Sequence, residues 1–266
     1  MKKIALVSFY LFIFTACQDA KDSKQDKTDK KQTSTVKNQI TEPEIIPVNH
    51  ASFVVKWNDK IWFNDPVGSA ELYSNYPTPD IILISDIHGD HLSLETLEAL
   101  EGDFKIIAPE TVFEQLSDEL KERTTVLKNE ESLVENEFTI TAIPMYNITE
   151  ERLQNHPKGR GNGYVIDSGS FRLYISGDTE NIPEMKDLQG IDLALVCMNL
   201  PYTMSIEQAA DGVAAFAPKT VIPYHYRGLK DGERHIYDTK LFERYVDSYH
   251  ADIKVKHMDF YPETNR

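Results

Sequence analysis

The sequence predicts an α+β fold in which two packed β-sheets carry helices on their outer faces. Two observations point there. From Ile45 onward, short apolar runs of strand length alternate with turn signals and helix-length amphipathic stretches. The first part is hairpin-like, with Asn58-Asp59 between two strand runs, and helices enter only later. Such a mixture of β-meander and strand–helix repeats layers two sheets beneath outer helices.

Strands are expected at 52–56 and 60–64, on either side of the Asn58-Asp59 turn, and at 80–85, where Ile81-Ile82-Leu83-Ile84 reads as a buried strand. Further strands are expected at 104–108, 138–144, 163–167, 171–176, 192–198, 220–224 and 253–258. Helices are expected between them at 93–100, 110–116, 205–216 and 239–249, and Ser205 with Gln208 fits a capping box. No internal repeat is strong enough to set the topology.

The chain has 266 residues, 41% of them hydrophobic, enough for one large domain with a proper core. That domain is expected over 44–266. The first residues differ. Met1-Lys2-Lys3 is basic, Ile4 to Phe14 is apolar, and Thr15-Ala16 are small residues before Cys17. This order is that of a secretory signal over residues 1–16, and the apolar run is shorter than the roughly 20 residues a bilayer span needs. Phe14-Thr15-Ala16-Cys17 resembles a bacterial lipobox, with Phe14 in place of the usual Leu, so Cys17 is expected to carry lipid and hold the domain at a membrane. Residues 18–43 are rich in Lys, Asp, Gln, Thr and Ser without an aromatic residue, and are expected to form a disordered tether after Cys17. The expected location is the cell envelope, as a membrane-anchored lipoprotein facing the periplasm or the cell surface.

The formal net charge is −15, and loss of Lys2 and Lys3 takes it to −17, which disfavours nucleic acid as a partner. The only other cysteine, Cys197, lies in the apolar run Leu193 to Met198 and is expected to be a buried free thiol.

The chemistry concentrates in Asp86-Ile87-His88-Gly89-Asp90-His91, on the turn between the 80–85 strand and the following helix. Four of these six side chains can ligate a metal. Residues two apart on a tight loop, Asp86 and His88, can converge on one ion, while Asp90 and His91 point differently and can serve a second. Imidazole with carboxylate suits zinc, manganese or iron.

Asp-x-His-x-Asp-His resembles the His-x-His-x-Asp-His signature of metallo-β-lactamase-fold hydrolases, with Asp86 at the first His position. Other segments match in order. His50-Ala51-Ser52-Phe53 with Asn64-Asp65-Pro66-Val67 resembles the opening hairpin of the branch that includes ascorbate-6-phosphate lactonase and N-acylphosphatidylethanolamine phospholipase D. Ser176-Gly177-Asp178-Thr179 resembles the Gly-Asp-Thr turn, and Ile222-Pro223-Tyr224-His225-Tyr226 the segment with the last metal-binding His.

The resemblance covers roughly residues 45–257 and implies an αββα sandwich of two mixed sheets flanked by helices. It implies two divalent ions, zinc first with manganese or iron as alternatives, bridged by Asp178. Asp90, His91 and His225 would complete one site, and Asp86 and His88 would belong to the other. The remaining ligand in the family follows the strand that ends here near Pro144, where this sequence has Tyr146-Asn147. His156 is the expected replacement and Asn147 the alternative, because imidazole binds these ions better than an amide. Asp86 adds a negative charge and a hard oxygen, so manganese or iron should be tolerated better than in a three-His site.

The reaction implied is hydrolysis of a phosphodiester, lactone or related ester in a small-molecule substrate, through a metal-bound hydroxide with Asp90 orienting it or accepting its proton. The alternative is a tethered metal- or ligand-binding module that has lost catalysis. Lys158, Arg160 and Arg227 are candidates to hold an anionic group of the substrate, with a solvated charged loop as the competing reading. Tyr146, Tyr202, Tyr224 and Tyr226 either line the cleft or pack in the core. His50 either reaches the site or is structural, and Asp65 is expected to accept a proton from a metal-bound imidazole. Neither is counted as a ligand. His235, His250 and His257 are expected to be structural.

Overall fold

A computed structural model describes residues 42–262; the expected signal segment, Cys17 and nearly all of the tether lie outside the described residues. Among the described residues no helix is long and apolar enough to cross a membrane.

The first sheet runs β1 (Glu44–Asn49), β2 (Ser52–Trp57), β3 (Lys60–Asn64), β4 (Ile81–Leu83), β5 (Lys105–Ala108) and β6 (Thr124–Val126) in that order. Its first three strands are antiparallel and the rest are parallel. The β2–β3 hairpin turns on Asn58 and Asp59, both with left-handed backbone at φ 49° and 59°, as a two-residue hairpin requires.

The second sheet contains β7 (Ser132–Glu135), β8 (Phe138–Met145), β9 (Gly161–Asp167), β10 (Arg172–Ile175), β11 (Leu193–Cys197) and β12 (Thr220–Tyr224). A small hairpin, β13 (Arg227–Lys230) with β14 (Glu233–Ile236), stands apart, and β15 (Lys254–Val255) returns beside β12. The plan of the first sheet recurs, antiparallel through β10 and parallel from there to β15.

Alternation places the layers. In β4, Ile81 and Leu83 face the core between the sheets, while Ile82, and Ile84 just after the strand, belong to a second core. That outer core also takes Leu97 from α1 (Leu94–Ala99), Val112 from α2 (Glu110–Phe113) and Leu120 from α3 (Asp118–Glu122). Outside the second sheet, α4 (Pro183–Lys186) contributes Met185. There α5 (Ile206–Phe216) contributes Ala209, Ala210, Val213 and Phe216, and α6 (Thr239–Tyr249) contributes Phe242 and Val246. The result is the αββα sandwich. Ser205 and Gln208 form the expected capping box on α5, and Cys197 is a free, buried thiol.

Several elements escaped the sequence reading for physical reasons. β1 carries Pro47, which breaks the strand pattern and is tolerated because β1 is an edge strand. β13 and β14 are polar and short, with little periodicity to detect. The strand expected at 253–258 shrinks to two residues, and the helix expected at 110–116 ends at Phe113.

Candidate metal centre

Most of the site's groups lie just beyond the C-terminal ends of strands: Asp65 after β3, Asp86 to His91 after β4, His156 on the loop after β8, Asp178 after β10 and His225 after β12. His50 joins them from the β1–β2 turn. His50, Asp65 and His225 have left-handed backbone at φ 57°, 44° and 47°. Such non-glycine conformations cost of order 1 kcal/mol each and persist where surrounding structure holds them.

Asp90, His91, Asp178 and His225 form one half of the centre. His91 Nε2 lies 3.5 Å from Asp178 Oδ2 and 3.9 Å from Asp90 Oδ1. His225 Nε2 lies 3.4 Å from both Asp178 Oδ1 and Asp90 Oδ2, and 3.2 Å from His91 Nε2. Both imidazoles are fully buried.

Asp65 decides how His91 points. Its Oδ2 meets His91 Nδ1 at 2.9 Å and accepts from Ser85 Oγ at 2.7 Å, and its Oδ1 accepts from the Ser85 amide at 2.7 Å. A carboxylate on Nδ1 leaves Nε2 free to face the centre, as supported metal-ligating histidines do. That arrangement agrees with the supporting role expected of Asp65.

The other half brings together Asp86, His88 and His156 with the same Asp178. His88 Nδ1 is 2.9 Å from Asp86 Oδ2. His156 Nε2 is 3.3 Å from Asp178 Oδ2 and 3.8 Å from Asp86 Oδ2. Asn147 stays behind His156: its Nδ2 donates to the carbonyls of Arg152 and Tyr202 and lies 3.3 Å from His156 Nδ1. Of the two alternatives after β8, the geometry brings His156 into the cluster.

Glu180, which the sequence reading passed over, pins the loop that carries His156. Its Oε2 accepts from the amides of Ile148 and Thr149, each at 2.7 Å, and its Oε1 is 3.0 Å from Arg152 Nη1.

These atoms suit divalent cations. Ligands about 2.1 Å from one tetrahedral ion lie about 3.4 Å from one another, and the contacts above fall around that spacing. His156 Nε2 and Asp178 Oδ1 are buried without a hydrogen bond, which is costly unless something else satisfies them. Burial works against a charged His91, yet Asp178, Asp90 and Asp65 hold its imidazole well above the usual histidine range. Burial likewise opposes ionisation of Asp178 and Asp90, but His225 and His91 beside Asp178, and His91, His225 and His50 beside Asp90, keep both carboxyls below their ordinary range. The pocket is thus built for positive charge. For Asp86, burial is again opposed, by the His88 hydrogen bond and by His91, His88 and Arg160, with a net downward shift.

His50 reaches the site, the first of its two readings. Its Nε2 is 3.2 Å from Asp90 Oδ2, its Nδ1 is 2.7 Å from the Tyr261 hydroxyl, and its ring lies 3.8 Å from that of His225. Burial, then His225, lowers its pKa to about 3, so it stands as a neutral imidazole. The sequence signal was its place in the opening hairpin.

Each of the three cationic candidates already has a partner of its own. Lys158 pairs with Glu184 at 2.7 Å and stacks over Tyr146 at 4.6 Å. Arg160 binds Asp86 through two hydrogen bonds of 3.0 and 2.8 Å. Arg227 stacks over Tyr261 at 4.9 Å. A cleft of about 320 Å³ opens on the centre, lined by His88, Asp90, Asn155, His156, Asp178, Asn199 and Tyr202, so none of the three cations lines it. Charged side chains near a carboxylate or a ring are drawn to it before they reach an open cleft. Of the four tyrosines only Tyr202 lines the cleft: Tyr224 is core, Tyr226 donates to the Met258 carbonyl and Tyr146 to Glu184. His257 contacts Thr239 and Glu243, apart from the centre.

Comparison with known proteins agrees with this architecture. The chain is 27% identical over 188 residues to a UPF0173 metal-dependent hydrolase of Pyrococcus furiosus, a match covering 67% of this chain and 82% of that protein. The crystal structure of a candidate metal-dependent hydrolase from Parabacteroides distasonis matches with a TM-score of 0.69 at 36% identity, covering 83% of this chain and 94% of that one. Igni18, a metallo hydrolase of Ignicoccus hospitalis, shares the fold with a TM-score of 0.66 at 20% identity, over 83% of this chain and 96% of that one. A profile of the beta-lactamase superfamily domain matches residues 44–225, and with two mixed sheets between helices and a His/Asp cluster at their edge, the chain belongs to that superfamily of metallo-β-lactamase-fold metal-dependent hydrolases.

Proposed function

We propose that this chain is a hydrolase with a two-ion centre, cleaving a phosphodiester, lactone or related ester in a small molecule. The observation that carries the reading is Asp178, whose two oxygens face His225 on one side and His91 with His156 on the other. Zinc is the first candidate for both ions, with manganese or iron as alternatives. Bound there, divalent ions supply Lewis acidity, lower the pKa of water towards neutrality and clamp attacking and leaving oxygens.

The chain's own residues do the rest. Asp90 is the half-exposed carboxylate of the cleft, held low in proton affinity, so it orients water by accepting a hydrogen bond more readily than it keeps a proton. Asn155, Asn199 and Tyr202 offer uncharged hydrogen-bonding groups to the substrate. The cleft's volume is at the lower end for small-molecule sites, which favours a compact ester. The likeness of the opening hairpin supports a place near the lactonase and phospholipase D branch of the superfamily, by analogy alone.

A panel of phosphodiesters, lactones and esters, tested with zinc, manganese and iron on the full chain and on Asp178→Asn and His91→Ala, decides the matter. Turnover by the intact chain with two bound ions is expected. No turnover above the variants, with at most one ion bound, would instead establish the non-catalytic binding module.

The order of residues around Phe14-Thr15-Ala16-Cys17 supports a lipoprotein anchored to a membrane of the cell envelope through Cys17, and the net charge of −15 argues against a nucleic-acid partner. Intact mass of membrane-extracted protein should begin at an acylated Cys17; retention of residues 1–16 would refute the anchor.

A further inference from the structure

Arg160 is built into the wall of the centre. Its Nε and Nη2 donate to Asp86 Oδ1 and Oδ2 at 3.0 and 2.8 Å, and Nη2 also donates to the Asn155 carbonyl. Its own carbonyl accepts from Thr111 Oγ1 at 2.7 Å. The Asp86 side chain is fully buried and that of Arg160 is 15% exposed. Asp86 Oδ2 at the same time lies 2.9 Å from His88 Nδ1 and 3.8 Å from His156 Nε2. One oxygen is therefore shared between the guanidinium and the ligand cluster.

An arginine stays protonated in proteins, and its planar fork matches a carboxylate on two points. A carboxylate clamped in this way contributes no net charge to its surroundings, yet it still presents an oxygen with a free lone pair. We propose that Arg160 is a positioning and charge-balancing residue for the ion held by Asp86, His88 and His156, so that Asp86 and Arg160 act together as one neutral oxygen ligand. The proposal rests on the two-ion reading above.

The test is metal uptake by the metal-free full chain, read by competition for zinc with a chromophoric chelator. The wild type should take up two equivalents. In Asp86→His the neutral imidazole leaves the guanidinium uncompensated beside the ion, and affinity for one equivalent should fall by about 10–100-fold, the range typical of supporting groups. Adding Arg160→Gln to Asp86→His removes the stranded charge and should restore most of that loss. A merely structural role for Arg160 would make the double variant worse than either single one. The equivalent held by Asp90, His91 and His225 should bind as in the wild type throughout, which serves as the control for folding.

Rescue absent from the double variant, or unchanged affinity in Asp86→His, overturns the proposal while leaving two ions in place. A wild type that takes up a single equivalent overturns the two-ion reading, and this inference with it.

Discussion

The half of the centre made by Asp90, His91 and His225 and the half made by Asp86, His88 and His156 share Asp178 but differ in how they are held. In the former, His91 is gripped by Asp65, which Ser85 and Asn64 in turn hold. Those partners follow directly from strands β3 and β4. In the latter, His156 rides a long loop between β8 and β9, pinned by Glu180, and Asp86 is balanced by Arg160 from the same loop. The contrast teaches that one half is anchored in the sheets, whereas the other is assembled by a loop and an ion pair and should yield first when perturbed.

The largest test of that contrast removes what the halves share. Asp178→Asn should reduce zinc uptake to at most one equivalent and depress hydrolysis by more than about 100-fold, beyond the 10–100-fold that supporting residues cost. Near-normal turnover would show that the carboxylate does not join the halves.

Asp65→Asn strikes the sheet-anchored half alone. Chelator competition should show about a 10–100-fold weaker affinity for one equivalent, with the Asp86 half spared; weakening of both equally would erase the distinction.

Glu180→Ala strikes the loop. Two amides and Arg152 lose their acceptor, so unfolding by denaturant should shift by about 1–3 kcal/mol, and the ion at Asp86, His88 and His156 should be lost before its neighbour. Equal loss from both halves would count against the loop as the weaker support.

The last test leaves the centre itself untouched and concerns Cys197, a buried thiol that belongs to none of the candidate ligand groups among the described residues. Burial, reinforced by Asp178, pushes its thiol up to about 12. In a Cys17→Ser chain at pH 8, alkylation should be at least about 100-fold slower in the folded than in the unfolded state, since the thiolate is the nucleophile. Fast alkylation that spares metal uptake would show a more open core than the structure describes.

Much of this was legible in the sequence. The cluster from Asp86 to His91 stands out because four side chains able to ligate a metal fall within one short loop after an apolar strand, whereas Asp178 and His225 were legible only through the family resemblance of the segments that carry them. The β2–β3 hairpin and the α5 cap were legible because turn and cap chemistry is local. Glu180 was not, since a lone glutamate after a Gly-Asp-Thr turn looks like any surface acid until its three partners are in place. The partner of Arg160 was hidden for a related reason. A cation on a glycine-containing loop gives no sign that a buried carboxylate 74 positions earlier will claim it.

The sequence by itself determined the layer plan, the strand–turn–helix placement of the Asp86 to His91 cluster and the burial of Cys197, because periodicity and local turn chemistry act over a few residues. Only the tertiary structure decided that His156 enters the cluster while Asn147 stays behind it, that His50 reaches Asp90, and that Arg160 serves Asp86. Each of those depends on which distant groups share a buried, low-dielectric space, where an unpaired charge is too costly to leave alone.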